Sequence, residues 1–350
     1  MLVEDVTIPV ERIPSAPPII APVTSQLVRP QWSVMIPTYN CFVYLREALT
    51  SVLAQDPGPE HMQIAVIDDC STDGDVWALV QALGQNRVEY FRQEKNLGSL
   101  RNFETCLNRS IGKWVHILHG DDRVAPGFYA EIQKLFSKHP EAGAAFTNTA
   151  NLIIDEEGIK EEIVVKGPII TKSGILKNFL LEIAERQRLD TPAIVVKRSV
   201  YEQLGGFFAA HYGEDWEMWT RIAAYYPIAY SPKCLAHYRY IGNNSITHNS
   251  IKTGQNVRDI IKVINIIQGY LPTAQRKEIK SKALRDYSFY CLSLAYTLYE
   301  TDPHSAFVQA RGALKMSKDI KIIYLVIKLY TRAAISYKQL RKLLGKNPAK

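Results

Sequence analysis

The chain has 350 residues, 47% of them apolar, and a formal net charge of +7, which is material for one large core plus a smaller second unit. Its five cysteines, Cys41, Cys70, Cys106, Cys234 and Cys291, are odd in number and scattered, which excludes a disulfide-framed secreted domain and a cysteine zinc site and fits a reducing compartment. No uninterrupted apolar run approaches the ~20 residues of a membrane span, and no basic region followed by an apolar stretch opens the chain as a secretory signal, so the expectation is a cytoplasmic protein.

Residues 1–30 hold Pro9, Pro14, Pro17, Pro18, Pro22 and Pro30 without helical periodicity and read as a flexible or extended leader. Residues 31–248 read as one α/β domain. VMIPTYN (34–40) runs from an apolar strand into a polar turn, and a helix follows from about Phe42 to Gln55. MQIAVIDDCSTDG (62–74) is a second strand that breaks at Asp68 and Asp69, with a helix from Asp75 to Leu83 after it. WVHILHGDD (114–122) is a third, ending at Asp121 and Asp122 just before Pro126 and Gly127. The order β, α, β, α, β predicts a doubly wound, largely parallel sheet of Rossmann type flanked by helices. Such sheets place ligands beyond the carboxyl ends of their strands, so Tyr39, Asp69 and Asp121/Asp122 are expected to line one crevice. Adjacent carboxylates repel each other unless a cation lies between them and an anionic ligand. Capping of the following helix is the competing role for an isolated pair, but this pair is one of three similar strand ends. His116 and His119 alternate along the third strand and read as packing or supporting groups.

Charge then changes sign. Met1–His248 carries 23 basic against 29 acidic residues, net −6, and Asn249–Lys350 carries 19 against 6, net +13. This C-terminal part, residues 249–350, reads as all helical: about Gly254 to Tyr270, Thr273 to Tyr299, Pro303 to Ser317 and Asp319 to Leu344. Ala283 to Met316 resembles a single tetratricopeptide-type helix pair. In the last helix Lys321, Lys328 and Arg332 share a stripe, with Ile320, Ile323, Ile327, Tyr330 and Ala334 away from it. Such a helix either lies on an anionic membrane surface, bringing the protein peripherally to the inner face, or packs on the α/β domain with solvated lysines. No nucleic-acid-binding motif accompanies the basic tail.

Seven segments occur in order: VMIPTYN, VIDDCSTDG, KNLGSLRNF (95–103), the strand ending GDD, LGGF (204–207), EDWEMWTR (214–221) and HYRYIGNNSIT (237–247). Together they resemble the inverting family 2 glycosyltransferases of GT-A fold, from about Ser33 to His248. There is no G-x-S-x-G, P-loop or H-E-x-x-H to point elsewhere. The resemblance implies transfer of one sugar from a nucleotide donor to a hydroxyl of a glycan or lipid-linked acceptor. By position, Asp69 matches the carboxylate that accepts the N3 proton of uracil or thymine, hence a UDP- or dTDP-sugar. Pro37 and Tyr39 match the positions beside the base, Arg101 a basic group facing the diphosphate or base, and Asp121 the ribose contact. Asp122 matches the ligand of a divalent metal, Mn²⁺ or Mg²⁺ being suited to carboxylate and phosphate oxygens. Asp215 matches the catalytic base, with Glu214 as the runner-up.

Two departures bear on the reading. Processive members carry Q-x-x-R-W and membrane spans, whereas residues 217–221 here read Glu-Met-Trp-Thr-Arg, which favours single addition. The Tyr238-Arg239 turn usually has a His two residues on, where this chain has Ile241; His237 or His248 is the candidate substitute. The alternatives are a sugar nucleotidyltransferase, which normally opens with a Gly-rich phosphate loop in place of Pro37-Thr38-Tyr39-Asn40, and a non-catalytic scaffold, which does not need the carboxylates present here.

Overall fold

The computed structural model describes residues 11–24, 28–154, 161–240 and 246–343. The first ten residues of the leader and residues 241–245, with the departure at Ile241, lie outside them. The chain divides into two compact units, Met1–Ile183 with Gln187–Ile241, and Ala184–Arg186 with Gly242–Lys350.

The first unit is built on one ten-stranded sheet. Strands β1 (Trp32–Thr38) and β2 (Met62–Asp68) are buried along their whole length, as befits strands covered on both faces. They pair in parallel, from Trp32 with Met62 to Thr38 with Asp68. Helix α1 (Phe42–Leu53) buries Leu45, Ala48, Leu49 and Val52, the i, i+3, i+4, i+7 stripe of an amphipathic helix. Helix α2 (Val76–Gly84) starts where the Asp75 carboxylate accepts the Ala78 N–H at 2.9 Å. Strand β3 (Glu89–Arg92) adds to β2, helix α3 (Ser99–Arg109) follows, and β4 (Trp114–Ile117) lies parallel to β1 on its other side.

Beyond β4 the sheet is mixed. Short β5 (Arg123–Val124) and helix α4 (Phe128–Lys138) lead to β6 (Ala144–Ile154), β7 (Glu161–Val165), β8 (Gly174–Ile175), α5 (Phe179–Glu185) and β9 (Ile194–Lys197). Strand β9 lies between β4 and β6 and runs antiparallel to both, so the sheet is less parallel than the sequence suggests. An apolar run of four residues carries no information about direction. After α6 (Arg198–Leu204) and α7 (Glu214–Tyr225), β10 (Ile228–Tyr240) pairs in parallel with β6 through two register shifts between Ser231 and Ala236. Bulges of this kind bend a strand and re-aim the residues beyond them, here Arg239.

Two motif segments are fastened to each other. Arg221 and Glu217, both buried on α7, pair at 3.0 Å, and Arg221 also donates to the carbonyls of Leu204 and, at 2.8 Å, Gly206. The LGGF turn is thereby fastened to the helix that carries Asp215. Gly205 has φ +79°, and a Cβ there would lie 2.8 Å from Pro17 Cβ and 2.9 Å from the Pro18 carbonyl. The Pro-rich segment packs against this turn: Ala209 N–H donates to Pro14 O, Gly206 N–H to Pro18 O, and Ile20 is buried.

The second unit is helical, with α8 (Ile246–Thr253), α9 (Gln255–Ile267), α10 (Thr273–Leu298), α11 (Pro303–Met316) and α12 (Ile320–Leu343). Helices α10 and α11 pack closely because the facing positions are small: Ala283, Ala295, Ala306, Ala310 and Ala313 are buried, and Ser288 Oγ donates to Ala313 O at 2.7 Å.

Removing one partner of a buried ion pair leaves the other charge uncompensated. Arg221→Met is therefore expected to lower the unfolding free energy by about 3 kcal/mol or more, read from the urea midpoint at constant m. The double variant with Glu217→Met should lose less than the two single losses added.

Candidate active site

Three strand ends meet as the topology requires. The Asp69 N–H donates to Thr38 O at 2.8 Å and the Gly120 N–H to Pro37 O at 3.0 Å, so the turns after β2 and β4 both hang on the end of β1. The approach at Gly120 is close enough to demand glycine: a Cβ would lie 2.8 Å from Cys41 Sγ and 2.9 Å from Thr38 Oγ1. Tyr39, the residue after β1, is half exposed.

Asp122 is the most constrained of the carboxylates. It is 1% exposed, its Oδ1 accepts the Arg239 N–H at 2.8 Å, and its Oδ2 is a buried oxygen with no hydrogen-bond partner among the described residues. Burial, reinforced by Asp121, holds its pKa well above the usual carboxylate range. His119, stacked 5.3 Å from the Phe103 ring, places Nδ1 3.6 Å from Asp122 Oδ2 and leaves Nε2 equally without a partner. Burial lowers its pKa, which favours a neutral imidazole able to bind a metal. Ligand atoms of His119, Asp121 and Asp122 lie within 4.8 Å of one another. Neutral imidazole plus two carboxylates is a donor set suited to Mn²⁺ or Mg²⁺, and a cation there would satisfy the orphaned Asp122 oxygen. Neither Asp121 nor Asp122 caps α4, whose N-cap is Gly127.

A basic frame lies behind this pair. Arg239 Nε donates to Asp121 O at 2.8 Å, its Nη2 meets Glu47 Oε2 at 2.6 Å, and its guanidinium stands 4.6 Å from the Tyr44 ring centre. Arg123 shares Glu47 at 2.9 Å and donates to His237 Nδ1 at 3.3 Å. His237 is thus turned toward Arg123, and it is not part of the His119 cluster. Arg239 and Glu47 are parts of the site without a role assigned by sequence pattern; their pairing joins residues 192 apart in the chain.

Asp69 is 2% exposed and organises the loop before α3. Its Oδ1 accepts Leu97 N–H at 2.7 Å, and its Oδ2 accepts Gly98 N–H at 2.8 Å and Asn96 Nδ2 at 2.7 Å. Burial raises its pKa, the two amides opposing. Of the four acceptor directions of a carboxylate, the described residues leave one on Oδ1. Arg12 clamps Asn96 through its carbonyl at 3.0 Å and Oδ1 at 2.6 Å, so the Pro-rich segment supports the loop that Asp69 orders. Arg101, expected to face the diphosphate or base, is committed to Glu104 at 2.6 Å and to Glu11 O at 2.7 Å.

Asp215 lies in the first turn of α7 behind Gly213. Its Oδ1 accepts its neighbour's Trp216 N–H at 2.7 Å, and its Oδ2 accepts Gln187 Nε2 at 2.6 Å with Thr191 Oγ1 at 3.5 Å. Desolvation pushes its pKa up to about 6, the hydrogen bonds oppose, and the charge of Asp190 adds to the rise. Asp190 also raises Asp122, so the two carboxylates share one electrostatic neighbourhood. Lys166 Nζ holds Asp190 at 2.6 Å. Gln187, Thr191 and Asp190 sit in an irregular segment with no sequence signal of their own. His116 is a packing residue: buried between Tyr129 OH at 3.2 Å and Pro192 O at 3.0 Å, it is lowered to about 4 by desolvation.

Residues 33–179 match the model of Glycosyl transferase family 2. Over 233 residues the chain is 26% identical to a putative teichuronic acid biosynthesis glycosyltransferase, TuaG, of Bacillus subtilis, covering 65% of this chain and 85% of that protein. Over 270 residues it is 27% identical to the GalNAc(5)-diNAcBac-PP-undecaprenol beta-1,3-glucosyltransferase of Campylobacter jejuni, covering 75% and 80%. Among solved structures, S. aureus TarS 1–349 in complex with UDP-GlcNAc superposes with a TM-score of 0.62 at 16% identity, covering 88% of this chain and 92% of that one. The mannosyltransferase PcManGT from Pyrobaculum calidifontis, in complex with GDP-Man and Mn²⁺, gives 0.54 at 19% identity, covering 92% and 84%. At such identities these structures share the fold.

An amide in place of the Asp69 carboxylate presents an NH₂ group to donors that need acceptors. Asp69→Asn is expected to cost about 1–3 kcal/mol and to speed hydrogen exchange at Leu97 and Gly98. Peptide-level exchange by mass spectrometry reads both, and unchanged protection of residues 96–98 would contradict the assignment.

Proposed function

With a family 2 glycosyltransferase domain of GT-A fold in residues 33–179, the chain is a glycosyltransferase, and we propose that it moves one sugar, with inversion, from a UDP- or dTDP-sugar to a hydroxyl acceptor. Its relatives place the activity in cell-wall or glycan synthesis. The observation that carries the mechanistic reading is Asp215: a carboxylate at the head of α7, held by Gln187, raised to about 6 and electrostatically linked through Asp190 to Asp122. A group tuned toward neutrality of pH is suited to general-base work.

In this reading the remaining acceptor direction of Asp69 takes a base N–H, Pro37 and Tyr39 flank the base, Asp121 meets the ribose, and Arg101 leaves Glu11 to reach the donor. Asp122, with His119 beside it, would hold a divalent cation, which would supply charge neutralisation for the departing diphosphate. Asp215 takes the proton of the acceptor hydroxyl as its oxygen bonds to the anomeric carbon and the bond to the phosphate oxygen breaks on the opposite face, the electron pair leaving with the diphosphate. The preference for uracil or thymine rests on Asp69, since the structural neighbours include both UDP-GlcNAc and GDP-Man complexes.

For the acceptor we propose a lipid-linked glycan, by analogy with the undecaprenol-linked substrate named for the Campylobacter relative. Among the described residues no helix is long and apolar enough to cross a membrane; we propose that the enzyme reaches such an acceptor by peripheral contact, drawn by the basic C-terminal part.

Three experiments test this. A base must be ionised, and Asp215 ionises above about 6, so kcat/KM should rise with pH through an acid limb near 6 and level off above it. Asp215→Asn should lower turnover by roughly 10²-fold or more, remove that limb and leave donor binding nearly intact; Glu214→Gln should be milder. NMR of the product should show the anomeric configuration inverted, and retention would contradict single displacement. Calorimetry with UDP, dTDP, CDP and GDP tests the base reading: UDP and dTDP should bind about tenfold or more tightly than CDP, the loss of one charge-assisted hydrogen bond being worth ~1.5–3 kcal/mol.

A further inference from the structure

Helix α12 has two apolar faces. Ile322, Val326 and Leu329 are buried and hold it in its unit. On the opposite side Ile320, Tyr324, Ile327 and Ile335 are 85%, 62%, 59% and 51% exposed. Their spacing of four, three and eight residues, with exposed Thr331 in the same line, puts them in one stripe. The sequence pattern alone did not separate the two faces, because both are apolar. Single exposed apolar residues are ordinary, whereas an aligned patch on a surface helix marks a contact.

The border of the stripe is basic. Lys321, Lys328 and Arg332 are exposed along one side, and Ile320–Leu343 contains six basic residues and no carboxylate. Arg332 is paired with Glu300 on the surface; an exposed pair of this type contributes only ~0–1 kcal/mol and exchanges readily for a stronger anion. We infer that this outer face of α12 is the surface that docks on an anionic phospholipid bilayer. The helix lies in the plane of the interface, with the isoleucines and Tyr324 in the headgroup boundary and the basic side chains on lipid phosphates. Charge selects the occupant: a second copy docking through the same face would set two basic borders against each other, while an anionic lipid surface complements them.

This inference rests on the peripheral membrane contact proposed above and names the surface that makes it. The test is co-sedimentation of the full chain with vesicles of pure phosphatidylcholine and of phosphatidylcholine with phosphatidylglycerol, at low and high salt. Alongside the wild type run the variants Ile320→Ser/Tyr324→Ser/Ile327→Ser and Lys321→Glu/Lys328→Glu, with thermal melts to confirm folding. Wild type should bind phosphatidylglycerol vesicles at low salt at least tenfold more strongly than neutral ones. The charge variant should lose roughly 25-fold or more, about fivefold per basic residue, and the serine variant about tenfold or more at either salt. Undiminished vesicle binding by both variants would overturn the assignment to α12. Absence of binding by the wild type, with a concentration-dependent dimer abolished by the serine variant, would overturn the lipid in favour of a second copy. UDP release from UDP-sugars in solution should be equal in all three proteins, and its absence from all three would count against the glycosyl-transfer reading and not against the docking surface.

Discussion

A carboxylate held almost wholly out of water needs something positive beside it, and Asp122 has only half of what it needs. One oxygen takes the Arg239 amide; the other is buried beside His119 and Asp121 with no donor among the described residues. Desolvating an unpaired charge costs several kcal/mol, so the fold either keeps the group protonated or supplies a cation. Many features of the first unit converge on that residue. The parallel strands deliver it, Gly120 lets its loop press against β1, and the bulged β10 turns the Arg239 amide toward it.

The Arg239 guanidinium does not reach the same oxygen. It is directed to Asp121 O and Glu47, over the Tyr44 ring, which braces the backbone of the pair, and its charge only partly opposes the burial that raises Asp122. A positively charged frame is thus held behind a site that stays acidic in front, an arrangement that orients carboxylates for a cation and does not replace one. At the far end Asp215 is kept partly desolvated by contacts that are themselves neutral, Gln187 and Thr191, which restrain the rise in its pKa without cancelling it.

Much of this was legible in the sequence. Apolar runs bounded by Gly, Pro and Asp located β1, β2 and β4 and the carboxylates at their ends, because strand burial and turn chemistry are local. The C-terminal helices agree with the structure to within a few residues for the same reason, although α8 was not foreseen. What was not legible depends on distant partners. The direction of β9 has no sequence signal. The Glu47–Arg239 pair and the Arg12–Asn96 clamp join residues 192 and 84 apart. Residues 11–24 read as a leader from their prolines, yet their carbonyls serve as acceptors for the Gly206 and Ala209 amides. The motif LGGF was visible, but its reason, close contact with Pro17 and Pro18, was not.

We propose that Asp121 and the buried Asp122, just beyond β4, form a divalent-cation site completed by the donor diphosphate. The direct measurement is an electron paramagnetic resonance titration of Mn²⁺ against the protein with and without UDP, in the wild type and in Asp122→Asn, which preserves shape and the contact with the Arg239 amide. Wild type should bind Mn²⁺ weakly alone and about tenfold or more tightly with UDP, since the diphosphate adds hard oxygen ligands that a site of one or two carboxylates lacks, and Asp122→Asn should lose the UDP-dependent site. Equal Mn²⁺ binding by both proteins, or full turnover of the wild type in EDTA, would contradict the account.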